Sequence, residues 1–408
     1  MDGLKDLPVE KNTVNEDAAN KAHKAQNDAT RKLHDDAGII PPYVLTEMSK
    51  RDPQNTSYQH TLDQMEQLKK QAGGFQAAPR FGREGNSERE VYDAEGQKLR
   101  TGEHGEKARF EGERPTGDAD VDKVYDYTGN VRDFYKQVFG RNSIDDNGMN
   151  FVSRVNYGEN LNNAFWDGQE MSYGKPDASS PFRTFVLQDI TGHEITHGVT
   201  QFESELGHYG QAGALNESLS DVFGELITQW SHHEKARDSH WLIGEGIWKS
   251  SVNGRGLRDM LNPGTAYDDP KLGKDPQPAD MDHYVQTSKD NGGVHVNCGI
   301  PNKAFAEFAV AVGGNAWDEA GHIWFQARQD AGSNPSFAQF AEATVEAASK
   351  LGFDKDVSKL QHAWADVGVS PSATAGDDLT PGQEEEMARE QAEKAQAGKS
   401  KAAAHAAA

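Results

Sequence analysis

The chain has 408 residues, 35% of them hydrophobic, and its 65 acidic against 42 basic side chains leave a formal net charge of -23. That length accommodates a two-lobed enzyme with flanking segments, while so acidic a chain argues against nucleic acid as a partner, because phosphates are held by concentrated Lys and Arg. A single cysteine, Cys298, excludes an intramolecular disulfide, and no apolar run approaches the roughly 20 residues of a membrane span.

The first residues, Met1 to Pro8, lack the basic start and apolar core of a cleavable Sec signal. They predict a soluble protein that is cytoplasmic or released by a non-Sec route. Up to about residue 37 the chain is rich in Asn, Asp, Lys and Ala and reads as a polar arm. Ile39-Ile-Pro-Pro-Tyr-Val-Leu45 breaks that pattern: two prolines predict an extended path with apolar side chains on either side, a docking segment leading into a helix after Thr46. With no cysteine nearby, any latency must work by packing or occlusion rather than by a thiol on a metal. From Gly73 to about Asp118 a polar linker runs into early strands, with alternation at Glu90 to Asp93. Val121 to Phe139 has helical spacing, and Phe151 to Tyr157, Asn163 to Trp166 and Met171 to Tyr173 read as strands.

The next stretch carries chemistry. His193-Glu-Ile-Thr-His197 sets two imidazoles one helical turn apart on a shared face, with Glu194 beside the first. Neutral imidazoles suit Zn²⁺, and an acid so placed reaches a reacting water without occupying the metal. A catalytic zinc site needs a third protein ligand, and Gly213-Ala-Leu-Asn-Glu-Ser-Leu-Ser-Asp221 offers Glu217, read here as the start of a second helix. Asp221, one turn later, can fix the free N–H of one ligand histidine, and Asn216 can orient the other. Residues 241 to 295 are loop-rich, with Ile243 and Ile247 one turn apart on a short predicted helix. Residues 302 to 368 read as amphipathic helices, among them Ala316 to Ala331 and Pro335 to Lys350, and from about Ser372 the chain is a solvated tail.

The two histidine- and glutamate-bearing segments resemble the zinc site of the thermolysin family of neutral metallopeptidases. Asn162 to Trp166 with Met171 to Gly174, Gly256 to Met260, and Asp290 to Asn297 are similar to further family motifs and occur in family order. Ile39 to Leu45 resembles the short propeptide of the protealysin subgroup. The resemblance implies an α+β, two-lobed fold. Residues 1–75 would hold the arm and propeptide, 76–200 a β-rich lobe ending in the central zinc helix, 201–370 a mainly helical lobe, and 371–408 a disordered tail.

It implies a zinc-dependent endopeptidase made as a precursor, with His193, His197 and Glu217 as ligands and Glu194 as general acid–base. His295, oriented by Asp290, would stabilise the oxyanion. Asn163 and Ala164 would pair with an extended peptide, and Arg258 would hold a substrate carbonyl. Ile190, Ile243, Ile247 and Leu257 would line one pocket, predicting cleavage on the amino side of bulky apolar residues. Implied partners are peptide and protein substrates, the chain's own propeptide and a proteinaceous inhibitor, and the family implies secretion. Two departures stand out. His208 occupies the place of a tyrosine that helps hold the oxyanion, which keeps alive a catalytically weak zinc- or peptide-binding member of the same fold; intact Glu194 and His295 weigh against it. Around the family's calcium site Asp189 and Glu245 remain, but Thr228 and His240 replace carboxylates, predicting at most a weak Ca²⁺ site.

Overall fold

The computed structural model describes residues 38–71, 80–82, 86–204 and 206–372. The predicted arm and nearly all of the predicted tail lie outside them. Among the described residues two helices come first, α1 (Pro42–Arg51) and α2 (Ser57–Gln71). The helix expected after Thr46 in fact begins at Pro42, and of the described residues only Gly38 to Pro41 run ahead of it. Proline at the first helical position loses nothing, since that N–H has no partner within the helix.

The amino-terminal lobe is built on a five-stranded sheet: β1 (Arg89–Asp93), β2 (Glu106–Phe110), β3 (Phe151–Tyr157), β4 (Ala164–Trp166) and β5 (Met171–Gly174), in the order β2-β1-β3-β5-β4. The β1–β3 and β3–β5 pairs are parallel and the two outer pairs antiparallel, which leaves β4 as an edge strand. α3 (Ala119–Phe139) starts where the Asp118 carboxylate accepts from the N–H groups of Asp120 and Val121, and ends at Gly140, left-handed at φ 69°. Its Val121, Val124, Tyr125, Val131, Phe134 and Tyr135 face the core.

α4 (Gln188–Glu203) and α5 (Gly210–His232) form the centre. α4 is buried from Gln188 to Thr200 although much of it is polar, so its polar groups must find partners inside the protein. Close approach of the two helices depends on glycine: a Cβ on Gly224 would lie 2.5 Å from Asp189 O and 3.0 Å from His193 N, and one on Gly192 2.9 Å from Gly224 Cα. The helix carrying Glu217 begins at Gly210, seven residues earlier than expected. The glycine- and alanine-rich start carries little of the amphipathic signal that marks a helix in sequence.

Beyond α5, Ile243 and Ile247 do not share a helix. Leu242–Ile243 is a short strand, β6, paired with β7 (Arg258–Asp259), and Gly244 and Gly246, at φ 74° and 90°, turn the chain between the two isoleucines. A second hairpin, β8 (Asp268–Asp269) and β9 (Gly273–Lys274), follows. The carboxy-terminal lobe consists of α6 (Asp290–Asn297), α7 (Gly299–Val312), α8 (Ala320–Asp330), α9 (Phe337–Lys350) and α10 (Val357–Asp366). Trp324 of α8 stacks on Trp364 of α10 at 5.8 Å, and Ser336 with Gln339 closes a capping box on α9. Apolar side chains from Ile39 to Val369 form one continuous core through both lobes. Among the described residues no helix is long and apolar enough to cross a membrane.

Candidate metal centre and substrate cleft

α4 presents His193 and His197 on one face, their Nε2 atoms 3.1 Å apart. Each ring is fixed through its other nitrogen: His193 Nδ1 donates to Asp221 Oδ1 at 2.8 Å, and His197 Nδ1 lies 3.0 Å from Asn216 Oδ1 and 3.1 Å from Ser220 Oγ. From α5, the Glu217 carboxylate stands 3.5 Å from His193 Nε2 and 3.7 Å from His197 Nε2. Its Oε2 is buried and accepts no hydrogen bond from a described residue. A tetrahedral zinc with bonds of about 2.0–2.1 Å spaces its ligands roughly 3.3 Å apart, so this donor set fits zinc. Among the described residues it is the one group of three or more His, Cys, Asp or Glu whose ligand atoms converge.

Asp221 does more than sequence spacing suggested. Besides His193, it accepts from Arg258 Nε and Nη2, both at 2.7 Å, and from Asn302 Nδ2 at 2.8 Å. Burial would raise its pKa, but the Arg258 charge and the His193 hydrogen bond outweigh that and hold the carboxyl well below the usual range. Arg258 is itself buried, and its Nη1 has no hydrogen-bond partner among the described residues.

Glu194 is held from the edge strand: Trp166 N donates to its Oε2 at 2.9 Å. A main-chain donor of this kind leaves no trace in residue identity, and neither it nor Asn302 was legible in sequence. His295 meets Asp290, Nδ1 to Oδ1 at 2.7 Å and backbone N to Oδ2 at 3.1 Å, while its Nε2 is 3.3 Å from Glu217 Oε2. The preceding turn runs through four left-handed residues, Asp290, Asn291, Gly292 and Gly293. Two of these are not glycine, which stores strain of order 1–3 kcal/mol each at a site that needs this geometry. His208 Nδ1 sits 3.4 Å from Asn216 Nδ2, beside the His197 support.

Asn163 and Ala164 lie at the start of the edge strand β4, and the segment from Gly38 lies on them. Ile39 N donates to Ala164 O at 3.0 Å, Ile40 N to Asn163 Oδ1 at 2.9 Å, and Asn163 Nδ2 to Ile40 O at 3.4 Å. Tyr43 lies with Tyr267, Leu272, Lys289 and Asp290 around a cavity of about 590 Å³ between α1 and the rest of the protein. Ile190, Ile243, Ile247 and Leu257 are all buried, and Leu257 N donates to Ile243 O at 2.7 Å, beside Arg258.

Among the described residues, the side chains expected at a calcium position do not converge as a group of three ligand atoms. Asp189 is buried and accepts from the N–H groups of Gly244 and Ile190. Glu245 is exposed and pairs with His240 at 3.1 Å. Between them lies a cavity of about 300 Å³ lined also by Glu225, which accepts from Ser239 Oγ and Gln229 Nε2 and is pushed up to about 8 by burial. Calcium takes six to eight oxygens, and of the four positions named only Asp189 and Glu245 carry carboxylates.

Two imidazoles and a carboxylate converge beside a held glutamate and an edge strand that carries an extended segment of the chain, an arrangement that suits a metal-dependent peptide hydrolase. Residues 46–201 match the family model "Thermolysin metallopeptidase, catalytic domain" and residues 204–369 the model "Thermolysin metallopeptidase, alpha-helical domain". The chain is 40% identical over 336 residues to an extracellular metalloprotease of Pectobacterium carotovorum subsp. carotovorum, covering 81% of this chain and 96% of that one. It is 40% identical over 345 residues to protease PrtS of Photorhabdus sp. (strain Az29), covering 81% and 92%. The solved precursor of protealysin, a metalloproteinase from Serratia proteamaculans, is similar with a TM-score of 0.74 at 44% identity, covering 82% of this chain and 99% of that one. This chain belongs to the thermolysin family of metallopeptidases, in its protealysin-like branch. It is a zinc-dependent neutral endopeptidase made as a precursor with a propeptide.

Proposed function

We propose that the enzyme cuts proteins on the amino side of bulky apolar residues, with His193, His197 and Glu217 holding the zinc. The observation that carries this reading is the meeting of three buried donors, both ring Nδ1 atoms already engaged, with Glu194 on the substrate edge of β4. When bound, zinc supplies Lewis-acid polarisation of the scissile carbonyl and acidification of water. Glu194 takes the proton of the attacking water and passes it to the leaving amine. His295, its ring set by Asp290, turns Nε2 toward the cleft as the donor for the oxyanion. Arg258, anchored on Asp221, offers its remaining Nη1 to a substrate carbonyl. Asn163 and Ala164 pair with substrate backbone as they pair with Ile39 and Ile40.

In this reading Ile190, Ile243, Ile247 and Leu257 wall the pocket for the residue after the cut. An aliphatic wall gains about 25 cal/mol per Å² of apolar surface and offers nothing to a charge. Residues 1–75 serve as arm and propeptide, 76–200 and 201–370 as the two lobes, and 371–408 as a tail. The segment from Gly38 blocks the substrate edge until the chain is cut between about Thr46 and Arg89. Calcium is at most weakly held, given the pairing of Glu245 with His240. Release from the cell is supported by the relative described as extracellular.

The test is zinc analysis together with casein hydrolysis, with and without chelator. One zinc per chain and activity abolished by chelator and restored by zinc are expected. A zinc-loaded, fully processed protein inert toward casein would favour the weak, binding-only reading.

A further inference from the structure

The register of the amino-terminal segment on β4 singles out one bond in this chain. Asn163 O accepts from Gly174 N and Phe165 pairs with Ser172, so these residues face β5. Alternation then turns Ala164 and Trp166 to the open edge. On that edge Ala164 O holds Ile39 N, and about 6.5 Å further along Trp166 N holds the Glu194 carboxylate. The segment runs antiparallel to β4, residue 40 beside Asn163 and residue 38 toward Phe165: a Cβ on Gly38 would lie 2.3 Å from Ala164 O and 2.9 Å from Phe165 Cβ. Moving amino-terminally from Ile39, the chain therefore heads toward Glu194, and the first peptide bond on that path is Gly38–Ile39. Ile39 is a fully buried branched aliphatic, the residue type proposed for the position after the cut.

We propose that Gly38–Ile39 is a processing site, the first bond this enzyme hydrolyses in its own chain, and that it is cut in cis. The proposal rests on the peptidase reading above. Water adds its oxygen to the Gly38 carbonyl carbon, the C–N bond breaks, and the proton that Glu194 takes from the water ends on Ile39 N. The products are a Gly38 carboxylate and an Ile39 amine, and no other reactant is required. The uncut chain holds Gly38 left-handed at φ 74°, off the line of an extended substrate. Glycine moves between left-handed and extended conformations at little cost, so the bond is held out of line but within reach. After the cut the new Ile39 ammonium remains against Ala164 O, on the same edge as the Glu194 carboxylate. The segment from Ile39 onward thus stays docked, and the product of this first step is still latent.

The full chain, zinc-loaded, is followed by intact mass at concentrations spanning about a hundredfold, beside Glu194→Gln, Ile39→Asp and the conservative Ile39→Leu. A species beginning at Ile39 is expected before any other truncated form, with a half-time independent of concentration. It should be absent from Glu194→Gln and Ile39→Asp and kept in Ile39→Leu. A half-time that shortens with concentration, the same species in Glu194→Gln, or a protein that digests casein while Gly38–Ile39 stays whole overturns the proposal. In that last case the peptidase reading survives, whereas a chain that neither digests casein nor cuts itself removes both.

Discussion

Glu194 and Glu217 are both buried carboxylates beside the same two histidines, yet their surroundings assign them different work. Glu217 sets Oε2 toward His193 Nε2 and Oε1 toward His197 Nε2, the arrangement the proposed ligand role requires. Glu194 is held by a main-chain N–H of the edge strand β4, which suits the proton-transfer role proposed for it. Glu194→Gln is therefore expected to keep its zinc and lose roughly 10²–10⁴-fold in kcat/KM, whereas Glu217→Ala loses the metal. Elemental analysis and peptide hydrolysis on the same samples separate the two, and the assignment fails if the first variant retains near-full turnover or the second its full zinc.

Glu225 bears on stability rather than on catalysis. Burial raises its pKa to about 8, so the folded protein holds a proton that the unfolded chain, near 4.5, releases. Its contribution to stability is fully present below pH 4.5 and is lost as pH rises toward about 8, because over that window the native state binds more protons than the unfolded one. Glu225→Gln, neutral throughout, is predicted to gain on the wild type progressively across that window, by up to a few kcal/mol, and to level off above it. Thermal melts of both proteins from pH 5 to 9 read this directly, and a constant offset would show that the carboxyl is already ionised in the fold.

At the scale of elements, the site depends on how closely α4 and α5 approach. Gly224 carries that contact, because Asp189 O and His193 N lie where its Cβ would be. Gly224→Ala is expected to push the helices apart, costing roughly 1–3 kcal/mol as overpacking does, and to weaken zinc by moving Glu217 from the histidines. Competition against a chelator of known affinity, run beside a denaturation curve, tests both parts; undiminished zinc affinity would mean that α5 adapts without moving its ligand. The edge strand β4 is the second critical element, since one side pairs with β5 and the other serves both the propeptide and Glu194. On the proposed function, the edge that would admit substrates is the one the segment at Ile39 and Ile40 covers.

At the scale of the whole molecule, one apolar core runs from Ile39 in the docked segment through both lobes, so on the proposed function removal of that segment would uncover apolar surface as well as backbone donors and acceptors. That exposed pocket should set specificity. Digestion of a denatured protein mixture by the processed enzyme, with new amino termini tallied by mass spectrometry, is predicted to yield mainly Leu, Ile and Phe; a majority of Asp, Glu, Lys or Arg would refute the aliphatic pocket while leaving the zinc chemistry intact.

Sequence alone determined the chemistry that is tied to local spacing. His193, Glu194 and His197 are bound by one helical turn, and Glu217 with Asp221 by another, so residue type and interval carry the information. Strands β1, β3, β4 and β5 and the helices near residues 316–331 and 335–350 were legible through alternation and 3.6-residue periodicity, whereas β2 and the two-residue strands β6 to β9 were too short or too polar to be read. Where local signals were weak or mixed, they misled: the glycine-rich start of α5 concealed seven helical residues, and a four-residue interval between Ile243 and Ile247 imitated a helix that Gly244 and Gly246 break. Only the tertiary structure could decide which groups meet across long intervals of chain. Asn302 reaches Asp221 over 81 residues, Trp166 N reaches Glu194 through a main-chain atom common to every residue type except proline, and Ile39 reaches Ala164 because the docked segment crosses the molecule to an open strand. Such contacts follow from how the core closes, and no interval in the sequence encodes them.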